Sequence, residues 1–201
     1  MSFRQLESYT RDIISRFRST GAEFCLIGGI AVSFRTVERT TKDIDLAVAV
    51  ADDPEAEQIV RSFSAGGYQI LQVLEHDVTN RLSTVRLVSS GEAEVFVDLL
   101  FASSGIEYEV VSTAEDIEIF PDLPVKVATI PSLIALKVLS ADAKDRLQDI
   151  IDLRNLIREA TDSEILLAKN LIDLITERGY NRKKDLHGEL DKYISDSLVR
   201  P

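Results

Sequence analysis

The stretch Asp43-Ile44-Asp45-Leu46-Ala47-Val48-Ala49-Val50 limits what this chain can fold into more than any other. It reads as a strand with Ile44, Leu46, Val48 and Val50 on one face and Asp43, Asp45, Ala47 and Ala49 on the other. The period of two puts both carboxylates on the same face, about 7 Å apart at the backbone. Two carboxylates so close repel each other unless a shared proton or a cation neutralises them. Their side chains can converge on one divalent cation or bridge a pair. Oxygen-only ligands favour Mg2+ or Mn2+ over zinc.

Upstream, Phe24-Cys25-Leu26-Ile27 reads as a short buried strand that breaks at Gly28-Gly29, and residues 30–36 fit a short helix. A Gly-Gly turn from strand to helix lets backbone come close to a ligand. The first amides of that helix point outward at the positive end of its dipole, which makes a phosphate site. Such a cradle beside an acidic pair suggests nucleotide phosphates held with Mg2+. Ser33 lies one turn beyond Gly29 and can donate to a phosphate or bond to backbone. A third carboxylate, Asp98, interrupts the apolar run Val95-Phe96-Val97-Asp98-Leu99-Leu100-Phe101. A lone charge there is costly unless paired or metal-bound. Asp98 can deprotonate an attacking hydroxyl and share a second metal. Each feature also has a plainer meaning: an ordinary turn, a solvated strand edge, a strand-end carboxylate.

The rest of the chain supplies the frame. An amphipathic helix is expected over 3–19, ended by Gly21, and another from Asp52-Asp53-Pro54 to about Ser64, stopped by Gly66-Gly67. Strands are expected at 68–74, 83–89 and 93–101, then two short ones at 116–119 and 124–127. Residues 105–112 fit helix or strand equally. From Pro131 onward apolar residues recur at three- and four-residue spacing, giving helices at 131–140, 144–159, 163–178 and 183–197. The chain is thus α/β in its first two-thirds and helical in its last third.

Composition excludes several classes. With 201 residues and 45% hydrophobic content the chain is neither fibrous nor broadly disordered. A single cysteine, Cys25, rules out an internal disulfide and reads as a buried small hydrophobe. No apolar stretch approaches the roughly 20 residues of a membrane span, and the charged N-terminus lacks a signal-peptide core, so no membrane association and a cytoplasmic location are expected. A net charge of −11 argues against sequence-blind nucleic-acid binding over a wide surface. It leaves room for a local basic groove. Arg35, Arg39 and Lys42 cluster early, and Arg178, Arg182, Lys183 and Lys184 cluster late, where they read as a solvated face. His76 and His187 read as ordinary surface residues.

At the Gly28-Gly29 and Asp43-x-Asp45 block, thirteen residues apart, with Asp98 following, the chain resembles the nucleotidyltransferase superfamily with the DNA polymerase beta fold. It is most similar to AbiEii-like nucleotidyltransferases, the toxin components of some bacterial toxin–antitoxin systems. Those read as GG, a small apolar helix, an Arg- and Ser/Thr-rich loop (here 35–42), then DID. A later helical motif has a lysine, then Lys-Asp and further aspartates. Here it is Leu133-Ile134-Ala135-Leu136-Lys137, then Lys144-Asp145, Asp149 and Asp152.

The resemblance covers about residues 22–160 and implies an α+β fold. A mixed sheet flanked by helices would form a core over 1–128, and a helical region would follow over 129–201. It implies transfer of a nucleoside monophosphate from an NTP to a hydroxyl acceptor, dependent on Mg2+ or Mn2+, with Asp43, Asp45 and Asp98 as metal-binding catalytic carboxylates. Gly28, Gly29, Ser33, Arg39, Lys42 and Lys137 are the candidate nucleotide-binding residues. Arg35 and Arg39 are placed to touch the triphosphate or an acceptor phosphate. Lys137 reaches a phosphate or pairs with Asp145 or Asp149, and the aspartates can form a charged network with Lys137, Lys144 and Arg146. The acceptor is left open between a tRNA end, a protein and a small molecule, with an antitoxin as a candidate partner. The alternative is a catalytically inactive protein of the same fold that binds a nucleotide or partner protein.

Overall fold

The computed structural model describes residues 3–37, 41, 43–90, 94–141 and 147–198. Helix α1 (Phe3–Thr20) lays Ile13, Ile14 and Phe17 into the core and ends at Gly21, whose φ of +74° favours glycine. The Phe17 ring packs against Phe24 and Phe63, with centroids 4.5 and 5.1 Å away. This ties α1 to β1 (Glu23–Leu26) and to α3 (Asp53–Ala65). Between them lie α2 (Gly28–Arg35) and β2 (Asp43–Ala49). Helix α3 starts where Asp52-Asp53-Pro54 places it: the Asp52 carboxylate caps Glu55 N–H at 3.0 Å.

Strands β3 (Tyr68–Glu75), β4 (Leu82–Ser89) and β5 (Phe96–Leu100) follow, then α4 (Glu107–Ser112), β6 (Glu115–Phe120) and β7 (Leu123–Val127). The ambiguous stretch 105–112 is helical from Glu107 onward, as α4. Glu107 decides this locally, because its buried carboxylate accepts the Ser103 and Ser104 N–H groups at 2.8 and 2.7 Å. Burial pushes the Glu107 carboxyl above its usual range.

The seven strands make one sheet in the order β3-β4-β5-β2-β1-β7-β6. It is mixed: β2 runs parallel to β5 and antiparallel to β1, and β4 runs antiparallel to β5. Strand β2 is therefore interior. Its Ile44, Leu46 and Val48 are fully buried, and the Asp43 and Asp45 face opens at its N-terminal end.

The last third is helical, as its spacing predicts: α5 (Ile130–Ser140), α6 (Leu147–Glu159), α7 (Asp162–Glu177) and α8 (Leu186–Leu198). Helix α5 is buried nearly all round, which its apolar composition requires. A reciprocal cap between Thr161 and Glu164 starts α7. Helix α8 begins later than the pattern suggests, because Arg182 and Lys183 take positive φ values of 54° and 61° and break the helix there. Buried side chains from Ile13 to Leu190 form one continuous cluster, so helices and sheet share a core. The architecture is α+β, a mixed sheet with helices. Among the described residues no helix is long and apolar enough to cross a membrane.

Candidate active site

The turn from β1 into α2 is built around Asp45. Gly28 has φ +60°, and a Cβ there would overlap the Asp45 carboxylate. The Gly29 N–H donates to that carboxylate, and Ile27 N–H donates to the Asp45 carbonyl at 3.0 Å. Gly28 thus does something its sequence does not announce: it makes room for the second carboxylate of the Asp-x-Asp pair.

Register carries the site across three strands. Asp45 on β2 stands opposite Asp98 on β5, and Asp98 stands opposite Arg86 on β4. The Arg86 guanidinium grips Asp98 through both oxygens, Nε to Oδ1 at 2.7 Å and Nη2 to Oδ2 at 2.6 Å. Its Nη2 also lies 3.7 Å from Asp43 Oδ2. The hydrogen bond to Asp98 raises the guanidinium pKa still further above its ordinary value. Asp98 is 13% exposed and Arg86 38%, so the pair spans the step from sheet surface to solvent. Asp45 meets solvent only on its cleft side. Loss of water pushes its carboxyl up to about 7, with the charges of Asp98 and Asp43 adding to the rise and Lys137 opposing it.

Helices α5 and α6 form the facing wall. Lys137 Nζ bonds Asp149 Oδ1 at 2.6 Å and Asp152 Oδ2 at 2.9 Å. Gln148 donates to the other Asp152 oxygen at 2.9 Å. Lys137 therefore does pair with Asp149, and Asp152 joins them; Asp145, Lys144 and Arg146 lie outside the described residues. Between the walls is a cleft of about 850 Å³ lined by Gly28, Gly29, Asp43, Asp45, Asp98, Arg86, Lys137 and Asp149. Ser103, Ser104, Arg182 and Lys184 line it further out.

Other sequence candidates fall elsewhere. Ser33 donates to the Gly29 carbonyl at 2.9 Å and does not line the cleft. Arg35, read as a triphosphate ligand, is turned away. Its guanidinium bonds the carbonyls of Ala128 and Val127, both at 3.0 Å, and Glu115 at 2.7 Å. It lies seven positions along the helix from Gly28, about 10 Å of rise. Arg39 and Lys42 lie outside the described residues.

The late basic cluster is not simply a solvated face. Arg178 pairs with Glu109 at 2.6 Å, Arg182 approaches the Ser103 carbonyl at 3.4 Å, and Lys184 caps the end of α5 through the Ala141 carbonyl at 2.6 Å. His76 stacks on Tyr180 with centroids 4.0 Å apart, and His187 bonds Asp173 at 2.6 Å. Arg86 was absent from the sequence candidates. The available signal was an isolated cation at a polar position of an alternating strand, with a lone carboxylate in the next strand.

Three carboxylates, of the hard oxygen type a divalent cation takes, stand on one sheet face, and Asp45, desolvated beside two like charges, calls for a compensating positive charge. Asp43 and Asp45 fit that role. Asp98 has both oxygens on Arg86, and among the described residues no three Asp, Glu, His or Cys side chains are grouped to hold a metal together.

The family model described as nucleotidyl transferase AbiEii toxin, Type IV toxin–antitoxin system, matches residues 13–200. The chain belongs to the AbiEii family. No curated protein matches it in sequence. Among solved structures it is similar to an antigenic nucleotidyltransferase-like protein from Paracoccidioides brasiliensis, with TM-score 0.55, 18% identity, and coverage of 95% of this chain and 94% of that one. It is also similar to the antibiotic-resistance factor ANT(2'')-Ia, with TM-score 0.57, 17% identity, and coverage of 98% and 100%. JHP933 from Helicobacter pylori has TM-score 0.50 at 14% identity, with coverage of 99% and 92%. At these identities the likeness is one of fold. This AbiEii chain has the nucleotidyltransferase architecture along nearly its whole length.

Proposed function

We propose that this AbiEii-family chain moves a nucleoside monophosphate from an NTP to a hydroxyl acceptor in a Mg2+-dependent reaction, the acceptor oxygen bonding to the α-phosphorus as the α–β phosphoanhydride bond breaks and pyrophosphate leaves, as the toxin of a cytoplasmic toxin–antitoxin pair. The observation that carries the reading is the Asp45–Asp98 row with Asp43 beside it, facing a cleft whose floor is the Gly28-Gly29 turn. In this reading residues 1–128 form the core and 129–201 the helical region that adds the Lys137 wall.

Asp43 and Asp45 would hold the cation. A bound Mg2+ or Mn2+ neutralises charge on the transferring phosphoryl group and polarises the attacking oxygen. Asp98 accepts the acceptor hydroxyl's proton at a carboxylate oxygen. The Gly28-Gly29 backbone holds the triphosphate, and Ser33 orients that turn through its bond to the Gly29 carbonyl. Lys137, fixed by Asp149 and Asp152, meets a phosphate without having to order a free side chain. Arg39 and Lys42, which precede β2 in sequence, would join the same phosphates. The acceptor is a tRNA end, a protein or a small molecule.

The test is incubation with each α-labelled NTP and Mg2+, in the presence of RNA, protein extract or small-molecule acceptors. Wild type transfers label and Asp45→Asn does not. Failure of wild type to label any acceptor with any NTP overturns the reading. The grip of Arg86 on Asp98 favours one rival, a non-catalytic binder of nucleotide or partner protein. That rival retains its ligand in Asp45→Asn and shows no transfer in wild type.

A further inference from the structure

The acidic row carries its own cation. Asp98 is nearly buried and would be unstable without a positive partner. Its partner is supplied by register, because Arg86 stands directly opposite on β4 and reaches both Asp98 oxygens. The same guanidinium leans toward Asp43 at 3.7 Å and lies over the Phe96 ring, 5.7 Å from its centroid. One arginine therefore pairs with Asp98 and lies within ion-pair reach of Asp43. Asp45 alone is left to the Gly29 amide and the more distant charge of Lys137.

We propose that Arg86 is a built-in competitor for the divalent cation. Resting on the metal-dependent reading above, it holds Asp98 in the cation-free site, and Asp98 becomes a ligand only when Arg86 lets go. The geometry allows the exchange. Arg86 is 38% exposed at the cleft wall, so its guanidinium can leave the carboxylate without breaking the core. Asp43 and Asp45 form the landing point, and Asp98 the contested one. A bidentate charged pair is a strong contact for a neutral side chain to remove, so the competition should be measurable. Arg86 is in this sense a positioning residue: it acts on the cation through Asp98.

The experiment is Mn2+ titration of the full-length protein without nucleotide, following free Mn2+ by electron paramagnetic resonance. The proteins are wild type, Arg86→Gln, Arg86→Lys and Asp45→Asn. Arg86→Gln should bind Mn2+ roughly tenfold or more tightly than wild type, the factor expected when a hydrogen-bonded charged competitor is removed. Arg86→Lys, which keeps the charge but loses the fork, should fall between them. Asp45→Asn should bind more weakly than wild type. In melts with chelator present, Arg86→Gln should be less stable than wild type, and added Mn2+ should raise its Tm by more.

If wild type binds Mn2+, Asp45→Asn does not, and Arg86→Gln binds no tighter than wild type, the competitor proposal is overturned while the metal reading stands. If Arg86→Gln does not fold, Arg86→Lys decides: tighter binding than wild type supports the proposal, and equal or weaker binding overturns it. If no protein, wild type included, binds Mn2+, both fall together.

Discussion

Replacing Gly28 by alanine should damage this protein in a way that replacing Gly21 should not. Both glycines have left-handed backbone, with φ +60° and +74°. Adding a Cβ in that conformation costs about 1–2 kcal/mol at either position. At Gly21 nothing lies within 4 Å of the new atom, so the conformational cost is the whole effect. At Gly28 the Cβ overlaps the Asp45 carboxylate, which is packed between the Gly29 amide and the β5 carboxylate row. Forcing that group aside adds an overpacking cost of about 1–3 kcal/mol. Gly28→Ala should therefore lose about 2–5 kcal/mol and Gly21→Ala about 1–2 kcal/mol. Urea unfolding of both variants, read from midpoints at constant slope, measures the difference. Nucleotidyl transfer should collapse in Gly28→Ala and persist in Gly21→Ala. Equal stability losses, or full transfer by Gly28→Ala, would refute the claim that this glycine exists to admit Asp45.

Other outcomes follow from the same geometry. The Asp45 carboxyl is held at about 7, above its unfolded value near 3.8, so the folded state keeps its proton longer. That contribution favours folding below about pH 4 and is lost as pH rises to 7. Wild type minus Asp45→Asn in chelator should show a stability difference that falls across this window; a flat difference contradicts the burial of Asp45. Lys137→Met removes the cation that pairs with Asp149 and the fully buried Asp152, and should cost about 3–5 kcal/mol in a thermal or urea melt; a loss under about 1 kcal/mol would show the triad is not a unit. Arg35→Ala removes bonds to two β7-end carbonyls and should destabilise by about 1–3 kcal/mol with an unchanged KM for NTP; a raised KM with unchanged stability would return Arg35 to the triphosphate.

The parts of this fold legible in the sequence are those set by local periodicity. The alternation over 43–50 placed Asp43 and Asp45 on one face because a strand's geometry leaves no other arrangement. The helical pattern after Pro131 likewise located α5, α6 and α7 to within a few residues. Asp98 was visible as a charge stranded in an apolar run. Its partner was not, because Arg86 meets it only through the β4–β5 register, a pairing no local pattern records. Arg35 misled for a related reason. Closeness in sequence to Gly28 suggested a shared ligand, but the helix between them carries Arg35 to the opposite end, against β7. The start of α8 was missed because Arg182 and Lys183 take positive φ against their own preferences, in a turn where Arg182 approaches the Ser103 carbonyl and Lys184 bonds the end of α5.

The central claim is that Asp43 and Asp45 hold a divalent cation beside a triphosphate seated on the Gly28-Gly29 turn. A crystal structure with Mg2+ and a non-hydrolysable NTP tests it most directly. The account predicts cation density bridging the Asp43 and Asp45 oxygens, phosphates over Gly28-Gly29, and the Arg86 guanidinium released from Asp98. A nucleotide bound away from this cleft, with both aspartates free of any cation, would contradict it.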